Sequence, residues 1–506
     1  MSDASVAEAL RSTAHRVVIE APAGTGKTHQ AASYARHAAG HLLKGQRVLI
    51  LAHTHAACDV FSARTNDLGA SAHVGTIDSL VAMIAKAYHR ALDLPADIHA
   101  WSIGHGAESY AELARRVRLL LDRSPAVGGA LAERNPIVIC DEHQDASGDQ
   151  HGIVEALARA GSRLRFFGDP MQAIFASGAE RQQQEQQWER LRAQANACER
   201  LDHPHRWDRG TPALGAWVLE QRRRLEAGAG VDLRAGRPTG LHLLRADNQS
   251  RRYGGFQLHT EARRPIDALV RSSPNLLVLT PQKASVLGLH AFWGWRIPIW
   301  EGHTRDALGQ LLAACRRGAG DPVALGKALC AFLQAVGKGF AATSFENRLI
   351  QELETGCAKS CRGRPAEIQS VARLIADTPN HIGIGAALER IGLLIQSSAH
   401  FADSRIDLRR EFFEATRMQS HADVGTFVQS LTHLRGRTHQ VPARAISTIH
   451  KSKGLETRNA IVLPCDAQSL TDTNKNRCLL YVALSRSCEQ LVLVAPVSEP
   501  SPLLEL

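Results

Sequence analysis

Apolar runs and helical periodicity alternate over the first 60 residues. Arg16-Val17-Val18-Ile19-Glu20 predicts a short buried strand, His29 to Leu43 an alanine-rich helix, and Gln46 to Ala52 a second strand. Strand, helix, strand at this spacing is a βαβ unit of a parallel sheet. Further strands are predicted at Pro136 to Cys140 and Arg163 to Phe167. The stretch 80–133 between them reads as a helical insertion, and Gln182 to Trp188 as a polar helix. Strands return at Leu241 to Leu244 and Asn275 to Thr280. Residues 305–440 then carry helical periodicity, broken at Gly318 to Pro322, Gly363 to Pro365 and Asp377 to Pro379. Strand character resumes at Ala443 to Ile449, Ala460 to Leu463 and Gln490 to Val494. The pattern predicts an α/β fold with two parallel sheets, the second assembled from two separated pieces around a helical block.

Length agrees with two bodies, because 506 residues exceed the roughly 250–300 that one core supports. No run of about 18 apolar residues predicts a membrane span. The start, Met1 to Leu10, has no basic region of the kind a signal peptide needs, which leaves the cytoplasm as the expected compartment. The cysteines have no regular spacing. The closest pair, Cys357 and Cys361, has no second pair at metal spacing and reads as reduced thiols. The formal charge of +10 favours a polyanionic partner. The local basic runs Arg222-Arg223-Arg224, Arg251-Arg252 and Arg263-Arg264 read first as solvated faces, and only second as phosphate contacts.

Candidate chemistry changes the picture more. Ala21-Pro22-Ala23-Gly24-Thr25-Gly26-Lys27-Thr28 follows a predicted strand and opens a helix. In such a loop the backbone N–H groups turn toward phosphate oxygens and the helix dipole adds to them. Lys27 then reaches the β- and γ-phosphates and Thr28 offers its hydroxyl to Mg2+. Cys140-Asp141-Glu142-His143-Gln144-Asp145 ends another strand, placed beside the loop in the sheet. Asp141 is expected to hold Mg2+ through water, and Glu142 to activate the attacking water. In Phe167-Gly168-Asp169-Pro170-Met171-Gln172, the Gln172 amide can sense the γ-phosphate. Arg206 and Arg486 are candidate arginine fingers.

The motifs stand in a telling order: Ala21 to Thr28, Ala52-His-Thr-His-Ala-Ala57, Gly75-Thr-Ile-Asp-Ser-Leu80, Asp141 to Asp145, Gly168 to Phe175, Leu201-Asp-His-Pro-His-Arg206, Ser447-Thr-Ile-His-Lys-Ser-Lys-Gly-Leu-Glu456 and Leu480-Tyr-Val-Ala-Leu-Ser-Arg486. The chain resembles the superfamily 1 helicases of the UvrD/Rep/PcrA type over residues 7–490. The resemblance implies two RecA-like P-loop domains, 1–200 and 201–506, with helical insertions at 80–133 and 305–440. ATP would lie in the cleft between them. Gly454 and Glu456 would lie near the γ-phosphate and ribose. DNA would meet Thr54, His55, Thr76, Phe175, Thr448 and His450, and movement would run 3′ to 5′. The absence of a nuclease-like carboxylate cluster after the motor, and the compact length, resemble the helicase-like subunit of Gabija antiphage systems. That likeness implies a separate nuclease partner of the OLD type.

The departures carry information too. No Gln precedes Gln30, although the family reads adenine with one upstream. The adenine-stacking positions hold His29 and His205, so two imidazoles are expected to sandwich the base, with weaker adenine specificity. His53 replaces a stacking Phe, no Trp follows Phe175, and Lys475 and Asn476 replace an acidic pair. A DNA-stimulated translocase is therefore set against a DNA-end or single-strand sensor whose ATP cycle regulates a nuclease with little unwinding.

Overall fold

The computed structural model describes residues 2–98, 101–102, 109–234, 236–250, 255–294, 296–300, 305–435 and 442–506. The basic pair Arg251-Arg252 lies outside the described residues.

Strands β1 (Arg16–Glu20), β2 (Val48–Ala52), β3 (Ala72–Thr76), β4 (Ile137–Cys140), β5 (Arg163–Gly168) and β6 (Ala197–Arg200) form one sheet in the order β3-β2-β4-β5-β1-β6. Every pairing is parallel. β2 and β4 are buried at every position, as continuous Val/Ile/Leu runs must be when helices cover both faces of a parallel sheet. Helices α1 (Ser2–Arg11) and α2 (Lys27–Ala39) cover one face, packing Val6, Leu10, Ala31, Tyr34 and Ala35 on Val17, Ile19, Ile50 and Ile139. Helix α3 (His55–Arg64) follows β2.

The two edge strands had no apolar run to announce them. β3 is Ala-His-Val-Gly-Thr and mostly half-buried; β6 is Ala-Cys-Glu-Arg and alternates between half-buried and exposed. An edge strand has one neighbour and needs less apolar surface. The strand that ends in Asp141 is also not next to the P-loop strand. β5 lies between β4 and β1, so Lys27 must reach across a strand to meet the acids.

The second sheet consists of β7 (Leu241–Arg245), β8 (Leu276–Thr280), β9 (Arg444–Thr448), β10 (Thr457–Val462) and β11 (Ser487–Ala495) in the order β9-β8-β10-β11-β7, again all parallel. Alternate residues face opposite sides. Leu276, Val278, Ile461, Val492 and Val494 pack on Ile266, Phe292 and Trp293. Leu277, Leu279, Val462, Leu491 and Leu493 pack under α4 (Pro212–Glu226) and α5 (Asn474–Leu484). That second face also takes in Ala23, Met171 and Ile174, which lie on loops of the first sheet. Both sheets thus belong to one compact unit, residues 1–84, 114–302 and 440–506.

Residues 85–113 and 303–439 form the other unit, so parts of both expected insertions share one body. Its core is Leu308, Leu329, Phe345, Ile384, Leu388 and Phe412. Among the described residues its regular structure is helical apart from a two-residue antiparallel pairing of Gly337–Lys338 with Arg405–Ile406. Among the described residues no helix is long and apolar enough to cross a membrane.

Candidate functional site

The loop from Ala21 to Thr28 leaves the C-terminal end of β1, anchored by the Ala21 N–H donating to the Gly168 carbonyl at 2.8 Å. Gly24 (φ +76°) and Gly26 (φ +86°) take left-handed conformations that curl the backbone amides. Thr25 is buried and donates its hydroxyl to the Pro22 carbonyl at 2.7 Å. A Cβ on Gly24 would stand 2.6 Å from the Trp207 ring and 2.8 Å from the Arg206 Cβ. Glycine is therefore required twice here, by the dihedral and by the neighbour.

Lys27, first in α2, projects between the two acids. Its Nζ lies 3.0 Å from Asp141 Oδ1 and makes a short contact to Glu142 Oε1. Burial opposes the ammonium charge, yet Asp141 and Glu142 hold its pKa above the ordinary value. Burial likewise disfavours the Glu142 carboxylate, but Lys27, Lys453 and the Gln144 amide keep it well below the usual range. Asp141 goes the other way: burial outweighs Lys27 and raises it. Glu142 sits at φ +51°, strained for a side chain with a Cβ. The Asp141 Oδ1 is buried and has the Lys27 ammonium at 3.0 Å as its charged neighbour. A buried carboxylate beside a phosphate loop, with the Thr28 hydroxyl following Lys27 as the second oxygen donor, fits a Mg2+ that arrives with the nucleotide.

The third wall comes from the segment after β6 and from loops and a helix of the second sheet. The Arg206 N–H donates to the Gly24 carbonyl at 3.0 Å, and the Ala23 N–H donates to the Tyr481 hydroxyl at 2.8 Å. Arg206 also donates from Nε to Glu456 at 3.1 Å and from Nη1 to the Ser485 carbonyl at 2.5 Å. Arg486 is buried and donates to the carbonyls of Val482 (2.8 Å) and Leu455 (3.1 Å). Burial first, and Arg206 second, pull its pKa down. A guanidinium stays charged at neutral pH, so this corner is positive and an anion is its natural complement. Gly454 turns the chain there at φ +83°, and Glu456 is exposed except for its bond to Arg206.

Gln172 is buried and turned toward Asp169, its side chain donating from Nε2 to Oδ2 at 2.8 Å, while its backbone carbonyl accepts from Lys453 Nζ at 2.6 Å. Its amide is thus engaged within its own loop. His205 lies over the P-loop: a Cβ on Gly26 would be 3.1 Å from its Cδ2. His29 is exposed in the first turn of α2. Gln30 points back to α1 and reaches the Asp3 carbonyl at 3.4 Å.

Sequence reasoning missed Lys453, the second lysine of the Ser447 to Glu456 segment. It makes a short contact to Asp145, lies 4.0 Å from Glu142 Oε2, and its ammonium is 4.9 Å from the Phe175 ring centroid. It also missed Arg222. The run Arg222-Arg223-Arg224 is not simply a solvated face: Arg222 is wholly buried, bonded to Glu20 (2.8 Å), Asp169 (2.7 Å) and Glu226 (2.8 Å). Only its neighbours' spacing along α4, which turns position 222 to the inside, could have signalled this.

The expected DNA contacts stand at the C-terminal ends of strands. Thr54 caps α3, accepting from the Ala57 N–H at 3.2 Å, and His55 is exposed beside it. Thr76 accepts from the Ser79 N–H at 3.0 Å and Thr448 from the Lys451 N–H at 3.3 Å; both residues are buried. Phe175 is exposed, and His450 is half-buried, its pKa lowered by burial and by Lys475. The hydroxyls thus serve as caps, and helix N-termini aimed past strand ends are suited to phosphates.

The class follows from comparison as well. Residues 3–209 match the AAA domain family, which is a nucleotide-binding P-loop fold. Residues 444–494 match the UvrD-like helicase C-terminal domain. Together the two matches support an ATPase of helicase kind, and within that class a UvrD-type superfamily 1 helicase. No curated protein matches the chain.

Proposed function

We propose that the chain is a DNA-dependent ATPase that translocates 3′ to 5′ on DNA and unwinds it. We further propose that it acts with an OLD-type nuclease in antiphage defence. The observation that carries the ATPase reading is a cluster in which Lys27, Asp141 and Glu142 stand beside Arg206, on the segment after β6, and Arg486, just before β11. Glu142, kept as a carboxylate by Lys27 and Lys453, accepts the proton of the attacking water. Arg206 and Arg486 offset the charge that builds on the transferring phosphoryl group. Mg2+, held by Thr28 and Asp141 when bound, supplies further charge neutralisation at the phosphates. The C-terminal domain match supports DNA as the track.

The test is ATP turnover with and without single-stranded DNA. DNA is expected to stimulate hydrolysis, Lys27→Ala to abolish it, and Arg486→Ala to cost about 10³-fold or more. Undiminished turnover in Lys27→Ala would overturn the site. Duplexes with a 3′ or a 5′ tail read polarity, and only the 3′-tailed one should unwind. Co-purification with an OLD-type nuclease reads the partner.

The sensor reading has one observation in its favour. Phe175 is the only phenyl ring among the expected DNA contacts, and base stacking on aromatics is worth about 1–3 kcal/mol each. Robust unwinding of long duplexes at matched ATPase rates excludes it.

A further inference from the structure

The segment between β6 and α4 carries His203, Pro204, His205 and Asp208. The His203, His205 and Asp208 ligand atoms all lie within 4.8 Å of one another. His203 Nε2 is 3.0 Å from Asp208 Oδ1, and His205 Nδ1 is 3.2 Å from Asp208 Oδ2. A tetrahedral ion bound at about 2.0–2.1 Å separates its ligand atoms by about 3.3–3.4 Å. Both histidine nitrogens thus already stand at coordination-shell spacing from the Asp208 carboxylate, on a loop stiffened by a proline.

The fourth group makes the case specific. His205 Nε2 lies 2.8 Å from Asp3 Oδ2 on α1. A carboxylate can only accept, so Nε2 carries the proton and donates it to Asp3. Nδ1 faces the Asp208 carboxylate at 3.2 Å, where either a second ring proton or a cation completes the contact. A carboxylate that takes the outer N–H of a histidine while its other nitrogen binds metal is the usual outer-shell device of such sites.

We propose that His203, His205 and Asp208 form a binding site for a divalent transition ion such as Zn2+, with Asp3 orienting His205 and solvent completing the shell. Imidazole donors select such an ion over Mg2+. Because His205 lies against Gly26 of the P-loop, the bound ion pins the ring that forms one side of the nucleotide entrance. The site itself does not depend on the proposed ATPase activity; its effect on nucleotide affinity does.

Calorimetric titration of tag-free, full-length protein with Zn2+ tests it. One ion per chain should bind in the presence of excess Mg2+. His203→Ala and Asp208→Ala should each weaken it by about 10–100-fold. Co2+ should bind at the same site with a spectrum free of thiolate charge transfer, separating it from the cysteines. In the wild type, Zn2+ should shift the KM for ATP, and in the two variants it should not. Absence of saturable binding, or binding that both variants leave unchanged, overturns the site. Lys27→Ala should bind Zn2+ as the wild type does, so loss of the ATPase reading alone would leave this result standing. Zn2+ binding without any KM shift would overturn the coupling to the nucleotide.

Discussion

Glu142 and the buried histidines beside it respond to protons in different ranges. Glu142 is held below its ordinary value of 4.5. The stabilisation it contributes is whole above that pH and is lost only as pH falls further. His143 is buried, shares a 3.0 Å contact with His151 and packs 4.6 Å from the Phe166 ring. Burial holds His143 well below 6.5, and lowers His151 as well. Their folded values lie below the unfolded ones, so the sign is the same, but the window opens near 6.5. Stability is expected to fall as pH drops from 7.5 to 5.5, before the carboxylates contribute. His143→Gln, which keeps a hydrogen-bonding group, should flatten that fall in thermal melts; an unchanged slope would place the acid sensitivity elsewhere. Glu142→Gln should lose hydrolysis while still binding ATP, read by nucleotide titration beside turnover.

At the scale of elements, α4 is tied to the first sheet by Arg222. Its guanidinium bonds Glu20 at the end of β1 and Asp169 just after β5, and lies 5.9 Å from the Tyr481 ring centroid. Burial works against this guanidinium's charge, but Asp169 above all secures it. The same Asp169 holds Gln172, and Tyr481 accepts from the P-loop N–H of Ala23. Removing one partner of such a buried cluster leaves uncompensated charge and costs about 3–5 kcal/mol. Arg222→Met is expected to lower stability by that amount in urea denaturation. Adding Glu20→Gln to it should restore part of the loss, because a buried charge is removed with its partner. Full stability in Arg222→Met would show that the cluster carries no structural load.

For the whole molecule, a formal charge of +10 matters mainly through DNA. Each phosphate neutralised releases counterions, so affinity falls linearly on a log–log plot with salt, with a slope of about −0.7 per contact on single strands. The proposed contacts along the strand ends predict a slope of several units, measured by fluorescence anisotropy on a labelled oligonucleotide. A flat dependence would contradict a phosphate-tracking edge. Lys453→Ala should reduce DNA-stimulated turnover more than DNA affinity, since its ammonium meets Asp145, Gln172 and Phe175 at once.

Much of this was legible in the chain. Apolar runs announced β1, β2, β4 and the strands of the second sheet, because strands buried on both faces need such residues throughout and the edge strand β7 still carries three leucines. Lys27, Asp141, Glu142, Arg206 and Arg486 were legible because each sits in a short local motif whose spacing the chemistry demands. The edge strands β3 and β6 were not, since a half-covered strand tolerates His, Glu and Arg. Contacts made across the chain could not be read locally either: Tyr481 meets Ala23 over 458 positions, and Lys453 meets Asp145 over 308. By itself the sequence determined the inner strands of the first sheet and the short motifs that hold the candidate phosphate-handling residues. Only the tertiary structure decided that β5 lies between the acid-bearing strand β4 and the P-loop strand β1, that Arg222 is a buried strut, and that His205 faces two carboxylates. Those outcomes depend on which elements pack together, and packing is set by surfaces far apart along the chain.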